Sequence, residues 1–320
     1  MISARVLVTG GAGFIGSNLV DALLDRGDHV TVLDDLSTGR LENLGPAIQA
    51  GATFHTGDIT DPHKVAMTFA AVRPTVVFHL AAQIDVRRAV IDPAHDARIN
   101  VMGTATVLEE AVRSGVQRFV MASTGGAIYG DADVIPTPET APPRPLSPYA
   151  VSKAAAEGYV DYYARTHDLC AFVLRLANVY GPRQDPRGEA GVISMFCAAA
   201  VAGEVPTVFG DGGQTRDFVY VGDVVEAFIA AGERAHLGRC NVATGRETTI
   251  LDLAQALALH PRFAPERPGE VRRSCLAPQM AQELLGWHAR TPLSDGLAAT
   301  LASFITSTAG ATGQARAASA

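Results

Sequence analysis

The chain has 320 residues, 48% of them hydrophobic and 18% charged, with 33 acidic against 26 basic side chains and a formal charge of −7. That balance excludes disorder across the whole chain, and the negative charge gives no global attraction for nucleic acid or anionic membrane. Any phosphate must be held by a local site, and the length allows one large domain or a large domain carrying a small one.

In chain order, residues 5–9 form a short β-branched run, 14–26 have helical composition and 29–34 return to a β-branched run, a β-α-β opening. The rhythm continues with runs at 75–80, 119–122 and 172–176 and helical candidates at 94–112 and 148–165. Such alternation predicts an α/β fold around a doubly wound parallel sheet. No fixed-period repeat is visible, which argues against solenoids and propellers. Beyond about residue 180 glycine and proline cluster at 180–191, 210–213 and 261–269, and a smaller, mixed α/β substrate region is expected there. The expected division is 1–177, mainly cofactor-binding, and 178–306, mainly substrate-binding, with elements free to interleave. Residues 307–320 contain only Ser, Thr, Ala, Gly, Gln and Arg, so a disordered tail is expected.

The apolar stretch from Val192 to Ala202 is well short of the ~20 residues that span a bilayer. The first residues lack a basic-then-apolar pattern, so the expectation is a cytoplasmic protein without membrane association. Cys170, Cys197, Cys240 and Cys275 are widely spaced, with no CxxC pair, and are read as reduced thiols; no metal is expected.

Gly10, Gly13 and Gly16 follow the first strand and open the first helix, with Phe14 and Ile15 between the last two. Glycine there lets the backbone turn tightly and approach a pyrophosphate, whose charge meets the free N–H groups of the helix start. Asp34 ends the second strand 18 positions after Gly16, where a carboxylate can bind a ribose diol. Asp34 and Asp35 together repel a 2′-phosphate despite nearby Arg40, which favours NAD over NADP. Asp58 and Ile59 are candidates to meet the adenine, and Leu80, Ala81 and Ala82 to let the cofactor pass close; an ordinary turn or packing explains each equally well.

Tyr149 and Lys153 are four positions apart behind Ser147 and Pro148, which suit a helix cap and first turn. One helix face then carries both. A lysine ammonium beside a phenol favours the phenolate, and moving a tyrosine from ~10 to ~7 needs roughly 4 kcal/mol, a demand that two nearby cations can meet. Tyr149 is then a general base near neutral pH. Ser123 and Thr124 end the run at 119–122, on the sheet edge where doubly wound folds bind ligands.

With Asp34-Asp35-Leu36-Ser37-Thr38-Gly39, Gly57-Asp58-Ile59, His79-Leu80-Ala81-Ala82, Asn178-Val179-Tyr180-Gly181-Pro182-Arg183, Arg216-Asp217-Phe218-Val219 and Arg267-Pro268-Gly269-Glu270, the chain resembles an extended short-chain dehydrogenase/reductase of the UDP-glucose 4-epimerase family over about residues 3–305. The resemblance implies a Rossmann domain with bound NAD held by the glycine loop, Asp34 to Gly39, Asp58, Ile59, Leu80 to Ala82, Asn100, Tyr149 and Lys153. It implies oxidation of the sugar at C4, rotation of the 4-keto sugar and return of the hydride. Tyr149 is then the base at O4, Lys153 holds the nicotinamide ribose, and Ser123 or Thr124 bonds O4. The choice between them stays open because four residues, not the familiar three, precede Tyr129-Gly130. The family's dehydratases carry Asp-Glu where this chain has Gly125-Gly126, which favours epimerisation over elimination.

On the substrate side the resemblance gives Asn178, Arg216 and Arg267 to the UDP diphosphate and Ser274 to a pocket position whose small size leaves room at C2. Arg187 stands where an arginine could meet a C6 carboxylate. The leading expectation is UDP-glucose/UDP-galactose 4-epimerisation, with UDP-glucuronate/UDP-galacturonate as the alternative; another nucleotide-sugar dehydratase or oxidoreductase, or a nonenzymatic NAD sensor, stays open. A homodimer through a four-helix bundle formed by helices 94–112 and 148–165 is also implied.

Overall fold

The computed structural model describes residues 4–187, 191–234, 237–266 and 271–317, with side chains to 306. Its strands are β1 (Arg5–Thr9), β2 (His29–Asp34), β3 (Thr53–Thr56), β4 (Val76–His79), β5 (Arg118–Thr124), β6 (Cys170–Leu176), β7 (Asn178–Tyr180), β8 (Thr207–Phe209), β9 (Thr215–Arg216), β10 (Phe218–Tyr220), β11 (Gly238–Val242), β12 (Thr248–Thr249) and β13 (Arg262–Ala264). The helices are α1 (Phe14–Asp25), α2 (Gly45–Gln49), α3 (Pro62–Val72), α4 (Val86–Ile91), α5 (Pro93–Ala97), α6 (Thr104–Arg113), α7 (Gly125–Ile128), α8 (Pro148–Thr166), α9 (Val192–Ala202), α10 (Val221–Gly232), α11 (Ile250–Ala256), α12 (Gln279–Leu285) and α13 (Leu293–Ala317). Among the described residues, no helix is long and apolar enough to cross a membrane.

A seven-stranded sheet runs β11-β6-β5-β4-β1-β2-β3, every pair parallel. This is the expected doubly wound Rossmann sheet. Both faces are covered, so its strands are apolar on both sides. Val6 and Val8 of β1 pack with α1 and α10, whereas the intervening Leu7 packs with α3, α6 and α8. Phe172 and Leu174 of β6 likewise oppose Ala171 and Val173. Strand order reverses between β1 and β4, and the crevice beyond their carboxyl ends is where such sheets take a ligand.

The division after residue 177 is crossed by the chain itself: α10 packs against α1, β5 and β6, and β11 adds an edge strand beside β6. A separate core under α9, α11 and α13 contains Ile193, Phe196, Phe218, Leu253 and Leu297. The helical backbone of α13 runs to Ala317, through most of the segment whose composition led us to expect disorder. The helix expected over 94–112 is composite: α5 passes through a π-helical turn, Arg98–Gly103, into α6. Gly103 permits this turn to lie on Ile59, whose Cδ1 would be 2.7 Å from an added Cβ.

A buried hydrogen-bond chain ties β1 and β4 to that turn. The Thr104 hydroxyl donates to the Asn100 carbonyl at 2.7 Å, so toward His79 it can only accept; His79 Nε2–H therefore donates to it over 3.0 Å. Nδ1 is left to accept from the Thr9 hydroxyl at 2.8 Å, while Thr9 Oγ1 accepts from the Ala81 N–H at 3.3 Å. Burial, aided by the Lys153 charge, pushes the His79 pKa from 6.5 down to about 3. A folded-state value below the unfolded one means that stability is fully present above pH 6.5 and lost as the pH falls toward 3. Urea unfolding should show His79 contributing a loss of up to ~1.4 kcal/mol per pH unit in that window, and the His79→Gln chain should lack that part of the slope. Equal slopes in the two chains would reject the buried neutral imidazole.

Candidate active site

The β1–α1 turn is built for close backbone approach. Gly10 has φ +71°, and a Cβ on it would lie 2.5 Å from the Ala81 nitrogen; one on Gly16 would lie 2.2 Å from the Gly10 carbonyl oxygen. Helix α1 starts at Phe14 behind Gly13 with no side-chain cap, so the first-turn N–H groups of Phe14 and Ile15 remain available to an anion. Asp34 is fixed beside this turn by the Ala12 and Leu36 N–H groups, each at 2.9 Å, and an added Cβ on Gly39 would lie 2.8 Å from its Oδ1. Burial raises its pKa, and the two backbone donors oppose that shift. Asp35 caps the exposed turn through the Ser37 N–H at 2.9 Å and hydroxyl at 2.6 Å, with Thr38 following in the same turn. Leu80 and Ala81 are drawn over Gly10 by bonds to Thr9, and Ala82 follows. Asp58 is exposed and caps the Thr60 N–H at 2.7 Å, while Ile59 is buried under Gly103.

Asn100 does something other than expected. Its side-chain oxygen accepts from the Gln83 N–H, and its amide donates to the Gln83 carbonyl and to Asp96. Those bonds hold the 80–83 segment in place, so Asn100 shapes the crevice through Gln83 instead of presenting its amide to the cofactor.

Helix α8 starts as expected, with Ser147 Oγ accepting from the Ala150 N–H at 3.2 Å. Strand alternation separates the two candidate hydroxyls of β5. Thr124 is hydrogen-bonded to the Tyr149 hydroxyl, whereas Ser123 Oγ donates to buried Glu157 at 2.5 Å and is committed to the interior. Burial pushes Tyr149 up to about 12 despite the Thr124 bond, with Asp96 raising it further, and pushes Lys153 down to about 8 against Glu157 and Asp96. The phenolate-favouring effect expected of Lys153 does not prevail in the protein alone: burial and the Asp96 charge raise the phenol, and burial also lowers the ammonium. Immediately after Thr124, an added Cβ on Gly125 would lie 2.2 Å from Leu276 Cδ1, so any side chain there requires Leu276 to repack.

Asn178 opens β7 and lines a cavity of about 320 Å³ together with Gln184, Gln214 and Arg216 among apolar residues such as Val192 and Phe209. Arg216 is steered by bonds from Nη1 to the Thr215 and Val271 carbonyls at 2.8 and 2.9 Å. Gln184 and Gln214 each keep a buried side-chain oxygen without a partner among the described residues. Arg187 is not in this lining: its side chain is 75% exposed, and its backbone N–H and Nε donate to Asp185 at 3.0 and 3.3 Å. Ser274, partly buried, lies beside β9 with its N–H on the Thr215 carbonyl at 3.2 Å. Arg267 falls outside the described residues.

Sequence reasoning missed Asp96, Gln83, Glu157 and Arg175 around Tyr149 and Lys153, and Gln184 and Gln214 in the cavity. The glycine cluster at 210–213 signalled a close approach without saying of what. Glu157 alone was within reach of pattern reading, four positions after Lys153 on the same face.

The crevice meets the demands of a dinucleotide: uncapped first-turn donors, glycines where any Cβ strikes backbone, and a fixed carboxylate at the end of β2. Gly10→Ala should lower the NAD retained through purification and destabilise the fold by ~1–3 kcal/mol, because its Cβ must displace backbone at Ala81. Nicotinamide released by heat and a parallel urea titration measure both; full retention at unchanged stability would contradict the cradle.

Residues 6–243 match the family described as the NAD dependent epimerase/dehydratase family. A "UDP-glucose 4-epimerase" of Mycolicibacterium smegmatis is 47% identical over 308 residues, which cover 94% of this chain and 98% of that protein. The crystal structure of a Thermotoga maritima UDP-glucose 4-epimerase with UDP-glucose superposes with a TM-score of 0.91 at 44% identity, covering 95% of this chain and 99% of that one. The Thermus thermophilus UDP-glucose 4-epimerase in complex with NAD gives 0.87 at 43% identity, with coverage of 93% and 98%. The crevice, the Thr124–Tyr149 pair with Lys153 and these matches together place the chain in the NAD-dependent epimerase/dehydratase family, an enzyme of the isomerase class that uses NAD.

Proposed function

We propose that this protein inverts C4 of a UDP-hexose, interconverting UDP-glucose and UDP-galactose through a transient 4-keto sugar. The observation that carries the reading is the Tyr149 hydroxyl bonded to Thr124 on the helix face shared with Lys153, beside a Gly125-Gly126 pair that leaves elimination without an acid or base. Bound NAD supplies the hydride acceptor at C4 and the positive charge that favours a phenolate. The glycine turn and Asp34 hold its pyrophosphate and adenosine ribose, and Lys153 its nicotinamide ribose. Tyr149 takes the O4 proton and returns it, with Thr124 fixing O4. Asn178 and Arg216 anchor the diphosphate, so the sugar can turn while the nucleotide stays. The exposed Arg187, engaged by Asp185, supports the neutral sugar over the uronate.

Incubating the purified protein with UDP-glucose, UDP-galactose, UDP-glucuronate and N-acetyl counterparts, without added nicotinamide, tests this. Interconversion of the neutral pair is expected; accumulation of a 4-keto-6-deoxy sugar, or no change at all, would overturn it. Tyr149→Phe should cost roughly 10²-fold or more in turnover with NAD content intact. Arg187→Ala should change the ratio of kcat/KM for UDP-glucuronate and UDP-glucose by less than about threefold, the range of an exposed ion pair.

We also propose a homodimer. Val151, Tyr159 and Tyr162 form an exposed stripe on α8 beside exposed Met102 of the π-helical turn, and Val90 and Ile91 of α4 are exposed as well. Sedimentation at ~10 μM should give a dimer that Tyr159→Glu weakens; a monomer in the wild type rejects the proposal.

A further inference from the structure

Asp96 has no exposed surface, and only one of its two oxygens is engaged. Its Oδ1 accepts from the Gln83 amide at 2.9 Å and the Asn100 amide at 3.0 Å, while the buried Oδ2 has no hydrogen-bond partner among the described residues. A carboxylate withdrawn from water in this way is costly unless a positive charge offsets it. It sits on α5, which packs against α8, the helix that carries Tyr149 and Lys153.

We propose that Asp96 is a positioning residue for the reaction: its half-satisfied buried carboxylate supplies the negative charge that keeps the Lys153 ammonium protonated inside the site. This rests on the epimerase reading above. The other groups around Lys153 are already committed. Glu157, one turn along α8, is forked by Arg175 at 2.7 Å and also meets Ser123 and Arg239. His79 of β4 is held neutral by burial, with its pKa pushed down to about 3. From α4, which packs on both α5 and α8, Arg87 and Arg88 are exposed, and Asp85 just before it caps the Arg88 N–H. Exposed Arg98 of the π-helical turn reaches half-buried His95, and on α6 Glu109 and Glu110 are engaged by Tyr163, Arg113 and Ser114. Asp96 is thus the carboxylate near Lys153 that no other described cation engages in an ion pair. Burial pulls Lys153 down to about 8, and Asp96 and Glu157 are the groups that oppose it.

Because the engaged oxygen is Oδ1, Asp96→Asn can keep both accepted bonds while removing the charge, with an amide NH2 in the place of Oδ2 that the Asp96→Glu variant and Tm control for. Lys64 and Lys153 are the only lysines in the chain, so in a Lys64→Arg background ¹³C-lysine labelling leaves one signal, that of Lys153. Its ¹³Cε shift, followed with pH in the NAD-containing protein without substrate, should show the Lys153 midpoint falling by about one unit or more in Asp96→Asn and returning in Asp96→Glu. The alkaline limb of kcat should move to lower pH by the same amount, with KM unchanged. An unmoved midpoint, or a turnover loss equal at every pH and matched by a lower Tm, assigns Asp96 a merely structural role and overturns the proposal. A wild-type midpoint below pH 7 overturns it even if no Asp96 variant folds. The titration needs no sugar, so its failure leaves the epimerase reading standing, and failure of wild-type turnover leaves the titration interpretable.

Discussion

Glu157 and Arg175 are both nearly sealed from water, and a charge in that position is tolerable only when its partner is present. The Arg175 guanidinium forks onto Glu157 at 2.7 and 3.0 Å, donates to the Tyr129 hydroxyl at 2.7 Å and lies 5.0 Å over that ring. Ser123 completes the set from β5. One helix, α8, is thereby locked to β5 and β6 at a single rotation about its axis. Tyr149 and Lys153, two turns and one turn before Glu157, inherit that rotation. The pair's net worth to stability is small, because desolvation offsets much of its attraction, yet losing one partner would cost ~3–5 kcal/mol. Its consequence is therefore orientation.

Orientation alone leaves the site in the wrong protonation state for chemistry. Burial raises the phenol and lowers the ammonium, so the protein by itself holds Tyr149 protonated. That is consistent with a base that becomes competent only beside a further positive charge, as an oxidised nicotinamide ring provides. The same burial excludes water, which on the proposed route would protect the 4-keto sugar until it is reduced again.

Much of this was legible because it is local. The spacing of Gly10, Gly13 and Gly16, the position of Asp34 and the four-residue step from Tyr149 to Lys153 need only helix and strand geometry. What lay between distant segments was not. Ser123 and Thr124 are equivalent in sequence until Glu157 claims one of them from 34 positions away. Arg187 looks like a free cation, but its N–H and Nε both turn back onto the carboxylate of Asp185, two residues before it. Asn100 lies on the expected helix, yet the π-helical turn directs its amide to Gln83. The boundary after residue 177 follows composition, whereas β11 crosses back because the exposed edge of β6 is covered by pairing.

Gly125 links the fold to the choice of reaction. A dehydratase needs carboxyl groups over C5 and C6, and here the backbone after Thr124 enters α7 with Leu276 pressed against the position of any Cβ. Leu276 is itself buried with Ile128 and Tyr129, so making room means repacking that cluster; its N–H bonds the fully buried Asp217, which also binds Thr244 and Gly245. Asp217 in turn gives its carbonyl to the N–H of Asn178, which lines the cavity shared with Arg216. Installing an acid at 125 therefore requires Leu276 to repack beside the Asp217 network. A single acidic substitution there would have to repack Leu276 before it could supply a carboxyl group for elimination.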